Sequence, residues 1–432
     1  MFSDNPLFKT LIDWINFIWV AIPVRLRPSM LELLFGAMIC KKGHITTALL
    51  AIRYKLSWTS YFKVIEKGRY CWLAIAKQWF KLILLVLPKQ HLLVAIDDFL
   101  TPRASKKAPS VGLHYDHAKK PNRPKFIWGQ MRVSLAVIGS KGQKTVALPL
   151  LLRLMRTVGN RNKLNAAWLL IKVLLHWKPK DLPTTVLIDA WYMKANLVLR
   201  IVKEHISVIG QVRKDTALYL PPVEPDVKRP GRPRKYGLKI TLANIYQLCA
   251  VQQSWISAYG KKRLFQIYSL GVKVRFLKGR TCKIVWCRFI NDKSIWTQWH
   301  LLVSTDCSLD AQTIVQTYAL RWWTEPLFNE LKNLFGLKDA WEQTRQVLAR
   351  WTMILCMAYG LPRLLSLCFD ASTVKSLFSI PWRTRRPITA GWIAEMIRFH
   401  FHRFPIRALW DRKLKKIQLA QAPIGYYFDN AA

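Results

Sequence analysis

The sequence predicts an α/β fold on three observations. Two short apolar runs, residues 91–96 and 184–188, each stop at aspartate: Asp97 and Asp98 follow the first, and Asp189 follows the second. Between them lie two longer apolar runs joined by a glycine-bearing turn, then a stretch of helical character. Further on, Tyr318, Arg321, Glu325 and Lys332 stand at relative positions 0, 3, 7 and 14, which at about 3.6 residues per turn fall on one helix face. Strand, hairpin, helix and strand, with aspartates ending two strands and a glutamate on a later helix, is the order of a ribonuclease-H-like fold. The expected class is therefore α/β: a catalytic domain of that order with a β-rich insertion, a helical N-terminal domain and a basic C-terminal tail.

Composition limits the partners. The 432 residues carry 68 Lys+Arg against 24 Asp+Glu, a formal charge of +44, yet 51% are hydrophobic. A chain this apolar buries a real core, so the charge belongs to a folded surface rather than a basic tail alone. Such a surface favours a polyanion, and counterion release makes its binding to DNA or RNA steeply salt-dependent. No uninterrupted apolar run of about 18 residues and no export signal are evident, so no membrane is expected and the location is cytoplasmic, with the nucleoid. Residues 14–24 are apolar but short and run into Arg25 and Arg27, which suits a buried helix. The eight cysteines contain no C-x2-C pair and are expected to be reduced core residues.

Taken in order, residues 1–90 read as helices rich in Leu, Ile and Trp with Lys and Arg between them, a candidate DNA-binding domain. Residues 91–96 suit a buried strand. The segment 101–125 carries Arg103, Lys106, Lys107, Lys119, Lys120, Arg123 and Lys125 among prolines, and reads as a mobile basic loop. Residues 126–138 and 146–150 read as strands joined by a hairpin at Gly139–Gly142. A helix is expected over 160–177 and a second buried strand over 184–188. The catalytic domain is thus assigned to 91–213 and 305–370, with 214–304 inserted. The insertion opens on a proline-stiffened basic segment, Arg229, Arg232, Arg234 and Lys235 among its members, which suits either a minor groove or phosphates read without preference. Strand-like runs follow at 240–255, 263–276, 282–290 and 296–304. A helix over 341–365 covers the sheet, and 371–432 is basic, with Arg383, Arg385, Arg386, Arg398, Arg403 and Arg407 among aromatics, suited to DNA binding or dimerisation.

Acidic residues are scarce, so their placement carries weight. A strand delivers its last side chain to the carboxyl edge of a sheet, where open α/β sheets assemble their sites. Three hard oxygen donors, from Asp97 or Asp98, Asp189 and Glu325, suit two Mg²⁺ with Mn²⁺ as substitute, and phosphoryl-transfer chemistry.

These residues resemble a known family. Tyr318, Arg321, Glu325 and Lys332 match the Y-x2-R-x3-E-x6-K signature of DDE transposases of bacterial insertion sequences. The resemblance spans roughly residues 91–340. It implies metal held by Asp, Asp and Glu, with the second aspartate at Asp189 and the first at either Asp97 or Asp98. It also implies that Tyr318, Arg321 and Lys332 contact DNA near the cleaved bond, that Trp299 stacks a flipped base during hairpin formation, and that a homodimer acts on double-stranded DNA at both element ends. The function it implies is cut-and-paste DNA transposition. A nuclease of the same fold, or a non-catalytic DNA-binding relative, are the alternatives.

Overall fold

A computed structural model describes residues 5–87, 90–116, 121–122, 124–155, 160–223, 231, 233–383 and 387–419. Five helices come first: α1 (Pro6–Trp19), α2 (Arg27–Ile39), α3 (Ile45–Leu50), α4 (Trp58–Lys67) and α5 (Trp72–Val86). Then follow β1 (Leu92–Pro102), β2 (Gly112–Tyr115), β3 (Phe126–Lys141), β4 (Lys144–Leu154), α6 (Asn160–Trp177), β5 (Thr184–Ile188), α7 (Ala195–Lys203) and β6 (Ser207–Val212). The next stretch is almost all strand: β7 (Leu218–Tyr219), β8 (Lys239–Ile240), β9 (Gln252–Ala258), β10 (Lys261–Val274), β11 (Arg280–Phe289) and β12 (His300–Ser304). Helices α8 (Ala311–Ala319), α9 (Thr324–Asn333), α10 (Arg345–Cys368), α11 (Ala371–Leu377) and α12 (Ala390–Phe401) lead to a small hairpin, β13 (Trp410–Asp411) and β14 (Lys416–Ile417).

Local chemistry sets several boundaries. Pro6 opens α1, where its missing N–H costs nothing, and Asn5 Oδ1 accepts from Leu7 N at 3.0 Å. Asp310 and Thr344 cap α8 and α10 in the same way, accepting from Thr313 N and Val347 N. The turn between β3 and β4 places Gly142 at φ +58, a conformation that suits glycine, so the paired strands reach Lys141 and Lys144, beyond the expected ends.

Twelve strands form one mixed sheet in the order β2-β3-β1-β5-β6-β12-β11-β10-β7-β8, with β4 on β3 and β9 on β10. β1 runs antiparallel to β3 and parallel to β5, and β5 runs parallel to β6. The strand-rich stretch expected as an insertion is not set apart from this sheet. β12 pairs with β6 from Leu301↔Val212 to Ser304↔Ile209, so β9 to β12 prolong the central sheet.

The two faces of the central strands pack differently. Val94 and Ile96 of β1, with Val186 and Ile188 of β5, join the main core against α6 and α7. Ala95 and Leu187 face the other way, with Ile209, onto Ile314, Val315 and Tyr318 of α8. The first helices share the main core rather than forming their own: α5 packs on β4 and α2 on α10. Fully buried Trp79 marks the α5 contact, its indole N–H donating to Pro149 O at 2.9 Å. Truncating such a residue to alanine costs about 3–5 kcal/mol.

The expected C-terminal tail is folded through residue 419. Trp392, Ile393, Met396, Ile397 and Phe401 of α12 are buried against α2 and α10, whereas Arg385, Arg386 and residues 420–432 lie outside the described residues. α10 is long and apolar enough to cross a membrane by composition, but it is nearly all buried, as a core helix is. The expected mobile loop also needs correction at its start. Arg103 is buried and donates to Gln130 Oε1 at 3.0 Å and to Lys338 O at 2.6 Å, a fixed bracket between β1, β3 and the segment after α9. Lys119, Lys120 and Arg123 lie outside the described residues. Among the cysteines, Cys282, Cys287 and Cys356 are buried as expected, but Cys71 and Cys307 are exposed; all eight are free thiols.

Candidate active site

Register builds the site. Parallel pairing of β1 with β5 ends at Ile96↔Ile188, so Asp97 and Asp189 are the next residues on two neighbouring strands. They fall on the face of Ala95 and Leu187, because side chains alternate along a strand. Asp98 falls on the opposite face. The neighbours agree: Asp97 Oδ2 accepts from Arg321 Nη1 at 2.8 Å and from the Thr324 hydroxyl at 3.3 Å, whereas Asp98 Oδ1 meets Lys163 Nζ of α6 at 2.7 Å.

Asp189 is fixed by the turn that follows it. Its Oδ1 accepts from the backbone amides of Trp191 and Tyr192, both at 3.0 Å, which orients the carboxylate at the edge of the sheet. Burial pushes Asp97 up to about 6, and repulsion from Asp189 and Asp98 adds to this, while Arg321 pulls it down. Burial alone would lower Arg321, yet Tyr318, Asp97 and Asp189 outweigh it and hold the guanidinium above its ordinary value. The Arg321 side chain also lies 5.8 Å from the Tyr318 ring centre, and burial pushes the Tyr318 phenol up to about 12.

The Tyr318 to Lys332 stretch is not one continuous α-helix. α8 ends at Ala319, residues Leu320–Trp323 form a 3-10 turn, and α9 begins at Thr324. Pro326 marks the break: it has no N–H to donate to Trp322 O and sits well in the first turn of a new helix, but α10 runs on through Pro362, so the contacts of Arg321 and Thr324 with Asp97 share in setting the interruption. The interruption buries Tyr318, aims Arg321 at Asp97 and leaves Glu325 exposed. Lys332 is half-buried near Phe99, 5.7 Å from the ring centre, and burial lowers its pKa.

Among the described residues, no group of three or more His, Cys, Asp and Glu lies close enough together to hold a metal ion. Asp97 and Asp189 are drawn together; Glu325 stands outside them, one residue after Thr324. The pair nevertheless suits a divalent cation. Two hard oxygen donors repel each other strongly enough to help raise Asp97, and Mg²⁺ or Mn²⁺ would relieve that repulsion.

Other expected contacts are dispersed. Trp299 is half-buried, with the Arg288 guanidinium 4.7 Å from its ring centre and Tyr268 at 5.4 Å, a packed rather than an open indole. Arg234 and Lys235 are exposed, and Arg229 and Arg232 lie outside the described residues. Two neighbours were missed by sequence reasoning. Lys163 sits in the first turn of α6 with no motif around it, yet it pairs with Asp98 and lies 3.9 Å from the Trp191 ring centre. Tyr259, at φ +56 in the turn between β9 and β10, is exposed and has Arg321 and Glu325 among the charges around it. Its Tyr-Gly dipeptide between two apolar runs was the available signal for that turn.

A sheet edge carrying paired carboxylates and a guanidinium has the groups that phosphate chemistry uses. Residues 24–270, more than half of the chain, match the model of the DDE superfamily endonucleases, and the chain belongs to that family. The match includes Asp97, Asp98 and Asp189 but ends before Tyr318. Among solved structures, one similar chain is that of a cryo-EM piggyBac transposase synaptic complex with hairpin DNA. It is 12% identical, with 93% of this chain and 78% of that one covered, at a TM-score of 0.38. No curated protein matches the sequence.

Proposed function

We propose that this DDE endonuclease is a cut-and-paste DNA transposase, acting as a homodimer on the two ends of a DNA element. The observation that supports this most is the juxtaposition of Asp97 and Asp189 by β-register, with Arg321 held against them. Asp97, rather than Asp98, is the first carboxylate, because it shares a face with Asp189. Glu325, at the start of α9, is the third, brought in when DNA and cation bind. Bound Mg²⁺ or Mn²⁺ supplies Lewis acidity at the phosphodiester and a more acidic water.

The chain's own residues do the rest. Asp97 and Asp189 orient the donors, their positions fixed by the strands and by the Trp191 and Tyr192 amides. Arg321 exchanges its Asp97 contact for a non-bridging phosphate oxygen, offering a planar fork that a lysine could not. Lys332 adds a second cation on the same segment. Water breaks the phosphodiester at the element end, leaving a 3′-hydroxyl and a 5′-phosphate, and that 3′-hydroxyl then attacks a target phosphodiester, joining the strands and displacing the target's own 3′-oxygen. Residues 91–213 and 305–370 form the catalytic unit, and the helices before it contact the element ends.

The second reading is a nuclease that cuts without joining, since the family's description names endonuclease activity alone. Incubating purified protein with Mg²⁺ or Mn²⁺ and a plasmid carrying the DNA that flanks its own gene separates the two. Paired cuts at defined ends, with insertion into a second plasmid and loss of both in Glu325→Gln, support the transposase. Cleavage without insertion selects the nuclease, and cleavage surviving in Glu325→Gln removes that residue from the catalytic set.

A further inference from the structure

A basic cleft lies where the N-terminal helices meet the chain's last described segment. Two backbone hydrogen bonds join the segments: Arg53 N donates to Phe404 O and Arg403 N to Ala51 O, each at 3.0 Å. Asn16 adds a side-chain pair, donating to Ile417 O at 3.0 Å and accepting from Ile417 N at 2.9 Å. Between these contacts opens a cleft of about 860 Å³, lined by Arg53, Lys55, Arg407, Arg412 and Lys413 together with Trp410. One carboxylate, Asp411, lies in the lining, and its Oδ1 already accepts from Lys413 N and Leu414 N at 2.8 and 3.0 Å.

The cleft is built rather than incidental. Glu32 of α2, fully buried, accepts from Lys55 N at 3.0 Å through Oε1, and from Tyr61 Oη at 2.8 Å and Arg407 Nη1 at 3.0 Å through Oε2. One interior carboxylate thus fixes residues of both walls, which lie more than 350 positions apart in the chain. A buried charge is retained only where its partners satisfy it, and here those partners tie the two walls of the cleft together. Its volume exceeds what a single phosphate fills. Five cations along an open groove match the spaced charges of a nucleic-acid backbone, and an aromatic wall adds a surface for sugar or base.

We propose that this cleft binds the phosphodiester backbone of duplex DNA, as a contact separate from the Asp97–Asp189 pair. The inference rests on the reading that DNA is the substrate. The test uses the full chain and a fluorescein-labelled duplex, with Kd measured by anisotropy across a potassium chloride series. Lys55→Gln/Arg412→Gln/Lys413→Gln removes three exposed cations and leaves the Glu32–Arg407 pair intact; its fold is checked by circular dichroism and Tm. Because log K falls with log salt at about −0.9 per phosphate neutralised, the slope should become shallower by about 2–3, with Kd weakened about tenfold or more.

The control triple Lys172→Gln/Lys180→Gln/Lys203→Gln, an equal loss of charge on exposed residues elsewhere, should change the slope by less than 1. Equal effects of the two triples, or an unchanged slope in the cleft triple, would overturn the inference while leaving DNA as substrate. A parent protein that binds no duplex at low salt would sink the DNA reading itself, and the inference with it.

Discussion

Two successive aspartates on β1 meet opposite environments. Asp97 faces Asp189, Arg321 and Thr324, and its carboxyl is raised to about 6. Asp98 faces α6, where Lys163 holds it at 2.7 Å and His114 of β2 lies near enough to sense both charges. On one face, two carboxylates are drawn together against mutual repulsion. On the other, a single carboxylate is matched by one lysine, itself stacked on Trp191. The difference teaches that charge alone does not mark a reactive site; crowding of like charges does, because that is where a cation or a phosphate relieves unfavourable energy.

The largest expected effect would break this comparison outright. Asp97→Asn should lower DNA cleavage on the order of 10³-fold or more, whereas Asp98→Asn should lower it less than about tenfold. Cleavage rates under saturating Mg²⁺ check this, and equal losses in the two variants would erase the distinction between the faces.

The next effect concerns pH. Asp97 titrates at about 6 in the folded chain against about 3.8 unfolded, so folding favours its protonated form. The stability this contributes is complete below about pH 4 and disappears as pH rises through about 6. A shift of about 2 pKa units sets the loss at up to about 3 kcal/mol. Urea unfolding without divalent ions should show Asp97→Asn losing less stability than the parent between pH 4 and 7. Parallel curves for the two proteins would remove the strain assigned to this face.

The smallest effect tests the matched face. Lys163→Met leaves Asp98 half-buried without its cation, at a cost of about 1–3 kcal/mol in stability. Cleavage per folded molecule should change little. Adding Asp98→Asn to Lys163→Met should restore most of the stability, because the unpaired charge is gone; if the double variant stays as unstable as the single one, packing rather than charge pairing is what Lys163 contributes.

Much of this was legible from residues alone. The strand at 184–188 and the helix at 160–177 have the bounds their patterns indicate, since a β-branched and apolar run ending in aspartate and a helical stretch closed by Pro179 are local signals. The 0-3-7-14 spacing located the right segment but misdescribed its shape. Pro326 was visible, but whether it would break the helix or merely begin another depended on the Thr324 and Arg321 contacts with Asp97, 224 residues or more distant in sequence. The same holds for the expected insertion: the runs at 263–276, 282–290 and 296–304 found strands, but 240–255 is no single strand, holding the end of β8, a 3-10 turn at Ile245–Gln247 and the start of β9, and the pairing of β12 with β6 was not readable.

By itself the sequence determined the central strands β1 and β5, helix α6, the basic composition and the short set of carboxylates, because propensity, periodicity and charge are properties of neighbouring residues. Only the tertiary structure decided that Asp97 and not Asp98 stands beside Asp189, and that Lys55 and Arg407 share one buried glutamate. Both depend on register and on contacts hundreds of residues apart. A shift of one residue in the pairing of β1 would exchange the two aspartates, and nothing local records which pairing buries more apolar surface.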